Sequence, residues 1–125
     1  MRAFHGIYGD ERGTTAIEFA IVGPVFILLV IGIIYLCMCL SVVSSMHYAV
    51  EEGARCASVR TNVCTDQTST INYTKNHYFA PGALPTFTYN ATAACGHSVS
   101  GSTNYVLDLG LHQITVPVSA AACFP

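Results

Sequence analysis

The chain has 125 residues, within the roughly 100 to 200 expected of one domain, so a second catalytic domain is excluded. Hydrophobic residues make up 52% and charged residues 10%, against about 25% charged in an ordinary soluble domain, which argues against disorder. Five Lys and Arg cannot build the basic stripe of a nucleic-acid-binding protein, and the net charge of −2 says less than where the charges stand.

From Phe19 to Val50, 32 residues, there is no Asp, Glu, Lys or Arg, and between Phe19 and Val43 only Gly23, Pro24, Gly32 and Ser41 fall outside the hydrophobic set. About 20 apolar residues span a bilayer core of roughly 30 Å, so this run predicts a transmembrane helix rather than a buried helix of a soluble protein. It is about twice as long as the apolar region of a cleaved secretory signal, although Val43-Ser44-Ser45 offers a poor cleavage site. A lipoprotein signal needs a small residue before its cysteine, and Leu36 precedes Cys37 while Met38 precedes Cys39. Pro24 removes a backbone donor early in the helix, which predicts a kink or local melting that neighbouring helices would reseal. Cys37 and Cys39 lie about 200° apart around a helix; they read as small apolar fillers, with palmitoylation or bridging between subunits as alternatives. Glu18 stands isolated at the head of the run, and a carboxylate at a membrane edge is a functional candidate by default.

Asp10-Glu11-Arg12-Gly13-Thr14-Thr15-Ala16-Ile17-Glu18-Phe19-Ala20, running into Ile21-Val22-Gly23-Pro24-Val25-Phe26, resembles the N-terminus of TadE-like minor pilins of the tight adherence (Tad) branch of type IV pilus systems. Glu52-Gly53-Ala54-Arg55 resembles the Gly-Ala-Arg element these proteins carry after the span, and Cys123-Phe124-Pro125 is like the ending of one subgroup. The likeness covers the first 60 residues well and the remainder loosely. It implies cleavage by a prepilin peptidase between Gly13 and Thr14, a mature chain of 125 − 13 = 112 residues, and Glu18 at the fifth mature position. It implies further that the Glu18 carboxylate meets the freed amine of Thr14 in a neighbouring subunit and sets the register of a helical bundle. Without the family, Glu18 snorkels to the headgroups and favours the positive helix N-terminus. The implied partners are other pilins and pseudopilins, the prepilin peptidase, an inner-membrane assembly platform and the lipid bilayer, with no nucleic acid and no cofactor or metal. Major pilins of this branch are usually shorter, which favours a minor or pseudopilin role by resemblance.

Beyond the span the helical pattern continues. Glu51 and Arg55 form an acid-before-base i,i+4 pair, and Ala49, Gly53 and Ala57 make a small-residue stripe fit for close helix contact, either with the chain's own domain or with another subunit. A single rod from Thr14 to about Thr61 would be roughly 70 Å long. Residues 61–125 hold only three charged residues, Asp66, Lys75 and Asp108. Asp66 to Phe79 predicts a short helix stopped by Pro81-Gly82. Thr86 to Tyr89, Asn104 to Leu109 and His112 to Val118 predict strands, with Pro117 on an edge or bulge. The fold class is α+β: a long N-terminal helix continuing into a small antiparallel sheet, divided into leader 1–13, helix 14–61 and a small extracytoplasmic domain 62–125.

Cys56, Cys64, Cys95 and Cys123 allow three disulfide pairings. A hairpin centred on Leu109-Gly110 makes facing residue numbers sum to about 219, which brings Cys95 near Cys123 and leaves Cys56 with Cys64. Zinc on Cys64, Cys95 and His97 is the competing use, without the usual ligand spacing. Arg2 and Arg12 before the span balance Arg55 and Arg60 after it, so the positive-inside rule is silent. The cysteines and the polar composition favour an inside N-terminus and an exported C-terminus; the resemblance implies that this lies in the periplasm, across the bacterial inner membrane. Asn72-Tyr73-Thr74 and Asn90-Ala91-Thr92 match the glycosylation sequon, which matters only in a eukaryotic secretory route. No GxSxG, phosphate loop or paired carboxylates occur in 61–125, and His77, His97 and His112 read as surface histidines. The expectation is a structural pilus subunit, not an enzyme; the alternative is a membrane-anchored binding or catalytic ectodomain unrelated to pili.

Overall fold

A computed structural model describes residues 11–82, 84–108, 110 and 112–125, with side chains from Gly13 onward. Arg2 and the rest of positions 1–10 of the expected leader, the Arg12 side chain and Leu109 of the expected turn lie outside the described residues. Among the described residues the elements are α1 (Glu11–Val59), α2 (Gln67–Asn76), β1 (Thr86–Ala93), β2 (Gly96–Asp108) and β3 (Gln113–Phe124). The chain divides into one compact unit ending at Leu36 and a second, Cys37–Pro125.

In the first unit α1 is a helix with its apolar side chains exposed all round, including Phe19, Phe26 and Leu28. It runs without interruption through Pro24, so the local melting expected there does not occur. The proline removes the one donor that would reach Ala20, and the ladder bonds on either side hold the segment.

From Val42 the burial pattern of the same helix changes. Val42, Met46, Ala49, Val50, Gly53, Ala54 and Ala57 are buried while Ser44, His47, Glu51 and Arg55 are exposed, which is the one-sided stripe of a helix packed on a domain. The sheet covers it. Its order is β1-β2-β3, antiparallel throughout, and Phe87, Val99, Val118 and Ala120 face the helix and complete the core. Gly101 lets this layer close: a Cβ there would lie 2.7 Å from the Phe87 ring and 3.4 Å from Met46 Cγ. Full burial of a side chain such as Met46 or Val50 contributes about 1.5–3 kcal/mol.

α2 is polar and short, and its start is well capped. Asp66 Oδ1 accepts from the Ser69 backbone N–H at 2.7 Å and Ser69 Oγ accepts from the Asp66 N–H at 3.0 Å, a reciprocal capping box. The Ser69 backbone bond first, then its hydroxyl, holds the Asp66 carboxyl below the usual carboxylate range. Thr70 and Thr74 are fully buried, yet each hydroxyl donates to the carbonyl four residues back, leaving their methyl groups to pack. Thr74 sits where Gly53 lacks a side chain; a Cβ at Gly53 would collide with Thr74 Oγ1 and lie 3.2 Å from Thr74 Cβ. The Ala49-Gly53-Ala57 stripe is therefore covered within the chain, the first of the two uses weighed above.

α2 ends at Asn76, short of the expected Phe79, because the backbone turns to Ser45. The Ser45 hydroxyl, fully buried on α1, accepts from the N–H groups of Phe79 at 2.9 Å and Ala80 at 3.2 Å. Ser45→Ala would strand both donors and is expected to destabilise the domain by about 1–3 kcal/mol. Pulse proteolysis of the full chain in detergent across a urea series measures it, and an unchanged midpoint would show that water replaces the hydroxyl at no loss.

All three strands are longer than expected, and β2 begins at Gly96, not Asn104. In the β2–β3 ladder Tyr105 faces Val116 and Ser98 faces Cys123, a sum of 221, so the expected register is off by two. The shift comes from the loop between Asp108 and Gln113: Asp108 Oδ1 accepts from the Gly110 N–H at 2.8 Å and Oδ2 from Gln113 Nε2 at 3.2 Å, with Gly110 at φ 79°. Those two bonds, the Gly110 one first, lower the Asp108 carboxyl from its ordinary value. Pro117 lies in β3, an edge strand, opposite Asn104.

Candidate functional site

The residues singled out by sequence occupy two places. Gly13, Thr14 and Glu18 lie in the first two turns of α1, all exposed, in the unit ending at Leu36. The junction between Gly13 and Thr14 is open, with nothing within 4 Å of where a Gly13 Cβ would stand. Thr14 and Glu18 are four residues apart on a continuous helix and so share a face. Pro24, six residues beyond Glu18, is the only proline in α1. Among the described residues α1 is the helix long and apolar enough to cross a membrane, and 6% of its most apolar window is buried.

The cysteines belong to the other unit. Cys56 is bonded to Cys64, joining the end of α1 to the turn before α2, and Cys95 to Cys123, joining the β1–β2 turn to the end of β3. Beside the second bridge Gly96 adopts φ 112°, and a Cβ there would strike the Phe124 carbonyl oxygen. The chain end is held again by Ser58 Oγ, which donates to the Pro125 carbonyl at 2.6 Å. Cys64 and Cys95 each sit in a different disulfide, so they do not converge with His97 on a metal. Cys37 is an exposed thiol and Cys39 a half-buried one.

Sequence reasoning missed the polar pair at the far end of the sheet. Tyr89 on β1 and His97 on β2 stack with ring planes 1° apart, and their Oη and Nδ1 atoms are 2.6 Å apart in a hydrogen bond. They line a shallow cleft of about 530 Å³ with Thr61, Thr65, Gln67 and Asn90. The cleft holds hydroxyls, amides and one carboxylate, Asp66, already engaged in its cap. Ser45 was also missed as a structural residue; its signal was a hydroxyl inside an otherwise apolar helix.

Likeness to a known family falls on α1. The TadE-like protein family matches residues 13–55. Over that segment, 43 of the 125 residues, the chain resembles the TadE-like family. The TadE-like segment starts at Gly13, takes in Thr14, Glu18 and Pro24, and stops at Arg55, one residue before the first bridged cysteine. α2 and the sheet lie beyond the match. No curated protein and no solved structure matches the chain.

Proposed function

We propose that this protein is a minor pilin or pseudopilin of a Tad-type pilus or secretion machine, structural rather than catalytic, that supports pilus biogenesis and surface adherence. Residues 1–13 act as a leader removed by a prepilin peptidase after Gly13. The helix 14–61 anchors the mature chain in the bacterial inner membrane and joins it to other pilins on the assembly platform, and residues 62–125 stand in the periplasm. The observation that carries this reading is where the TadE-like likeness falls: it opens at Gly13 and follows the exposed apolar helix, the part through which such a subunit would insert and assemble. Two disulfides in the second unit add support for an exported domain, since such bonds persist in oxidising compartments.

The mature protein is expected to begin at Thr14. Intact-mass measurement and N-terminal sequencing of membrane fractions, from cells with an active prepilin peptidase, check this directly. A chain starting at Met1 or at Met46 would sink the processing step. Gly13→Leu should leave the precursor uncut.

A further inference from the structure

In the unit Cys37–Pro125 large apolar side chains are exposed at both ends, with Val59, Val63 and Phe124 at one; the group that includes aromatic rings beside the apolar run lies at the other, where α1 enters the unit. Val42 lies there, at the close of the apolar run, and shares one cavity of about 190 Å³ with Tyr78, Pro81, Gly82, Tyr105 and Val106. The loop after α2 and the far half of the β2–β3 hairpin are thus gathered around the same turn of α1. Phe79, tied by its N–H to Ser45, is 72% exposed; Leu84 is 69% and Val106 51% exposed. Tyr48 stands edge-on to Phe79 with ring centroids 6.1 Å apart and is itself exposed. Across residues 77–84 and 104–115 the sequence has one charged residue, Asp108. Large apolar side chains kept in water around a helix exit are unexplained by the domain's own core, to which they contribute nothing.

We propose that this end of the domain, through Phe79, Leu84, Val106 and Tyr48, rests in the headgroup–acyl boundary of the bilayer that α1 crosses. The inference rests on reading α1 as a membrane span. Continuity along the chain favours lipid as the occupant: Val42, at the close of the apolar run, lines the same cavity as Val106, and Ser45, one turn on, holds Phe79. Aromatic side chains are enriched at that depth because their rings are amphipathic in bulk and tolerate the boundary. Asp108 fits the same depth, where a carboxylate stays hydrated.

The chain has no tryptophan, so a single introduced indole reports its own surroundings. Full-length Phe79→Trp and Val106→Trp, with Leu84→Trp as a further probe, would be placed in phosphatidylethanolamine–phosphatidylglycerol vesicles containing lipids brominated near the carbonyl end of the acyl chain. Val63→Trp, in the turn between α1 and α2, serves as the water-exposed control, and Leu28→Trp as the span control. Non-reducing peptide mapping confirms that each variant keeps both disulfides. The expected result is blue-shifted emission, quenched several-fold more strongly at 79 and 106 than at 63. Equal weak quenching at 79, 106 and 63 with strong quenching at 28 overturns the proposal and leaves the span intact. A blue shift that bromine does not quench and that grows with protein density assigns the patch to a second copy of the chain, which also overturns it. Absence of quenching at 28 refutes the span itself, and with it the proposal.

Discussion

Glu18→Gln is expected to enter the membrane normally, to be cut after Gly13, and then to be nearly absent from pili. Glutamine keeps the shape and the hydrogen-bonding capacity, so what is removed is the charge. An ionised carboxylate at the head of a transmembrane segment opposes insertion, by less than the about 2.5–3.5 kcal/mol such a charge costs at the helix centre, so its loss makes insertion easier rather than harder. Assembly runs the other way. If the carboxylate meets the Thr14 amine of the next subunit in low dielectric, the variant leaves that amine buried and unpaired, which is destabilising by about 3–5 kcal/mol. Such a loss weakens the contact roughly 100- to 4000-fold. Pilus number and co-purification with partner pilins measure it, and a second change that removes the charge of the Thr14 amine should restore part of the loss. Wild-type values for both would mean that Glu18 only reaches for the headgroups.

Removing the two disulfides one at a time should separate them by size. Cys95 and Cys123 close a loop with a sequence separation of 28, Cys56 and Cys64 one of 8. Loop-closure entropy assigns about 3.6 kcal/mol to the longer and about 2.5 kcal/mol to the shorter. Cys95→Ser with Cys123→Ser also frees the end of β3 beside Gly96, whereas the α1–α2 turn keeps its backbone bonds from Arg60 and Cys64 to Cys56 and Arg60. Replacing each pair together avoids stray thiols. Pulse proteolysis of the intact chain in detergent gives the order, because cleavage follows the opening equilibrium when reclosing is fast. The reverse order would place the stabilisation in local structure around α1 rather than in loop closure.

The helix could be read from sequence because an uncharged apolar run of this length has few other physical uses, and that reading needs no partner. The likeness to the TadE-like family over 13–55 falls on the same segment. Thr86 to Tyr89 was visible because it alternates, whereas Gly96-His97-Ser98-Val99-Ser100-Gly101 has the composition of a loop. It is a strand because it lies in the middle of the sheet, paired on both sides, with Gly101 required beneath Phe87. Such demands are long-range and leave no local pattern. The register error has a similar source: the position of the hairpin loop is set by Asp108 holding Gly110 and Gln113, and side-chain bonds of that kind are not encoded in residue spacing. The Ala49-Gly53-Ala57 stripe was legible as a contact surface, but its occupant, Thr74 of α2, was not, since a small-residue face fits any close neighbour. Ser45 reads locally as a break in an apolar run and acquires its role only when Phe79 arrives from 34 positions away.

The sheet has two outer strands, and each carries an impediment to further pairing. β1 is flanked by α2 and loses register between Asn90 and Ala93, where Asn90 Oδ1 takes the Thr92 N–H and hydroxyl. β3 holds Pro117 opposite Asn104. A proline is tolerated in a ladder where its nitrogen points away from the partner strand, so the donor is missing from the outer rim of β3. An incoming strand would meet a bulge on one rim and a gap in the donors on the other, which are recognised defences against edge-to-edge aggregation. If the chain is the pilus subunit proposed above, copies of it could be crowded sheet beside sheet without polymerising through their backbones, and order in the assembly would be left to the helix.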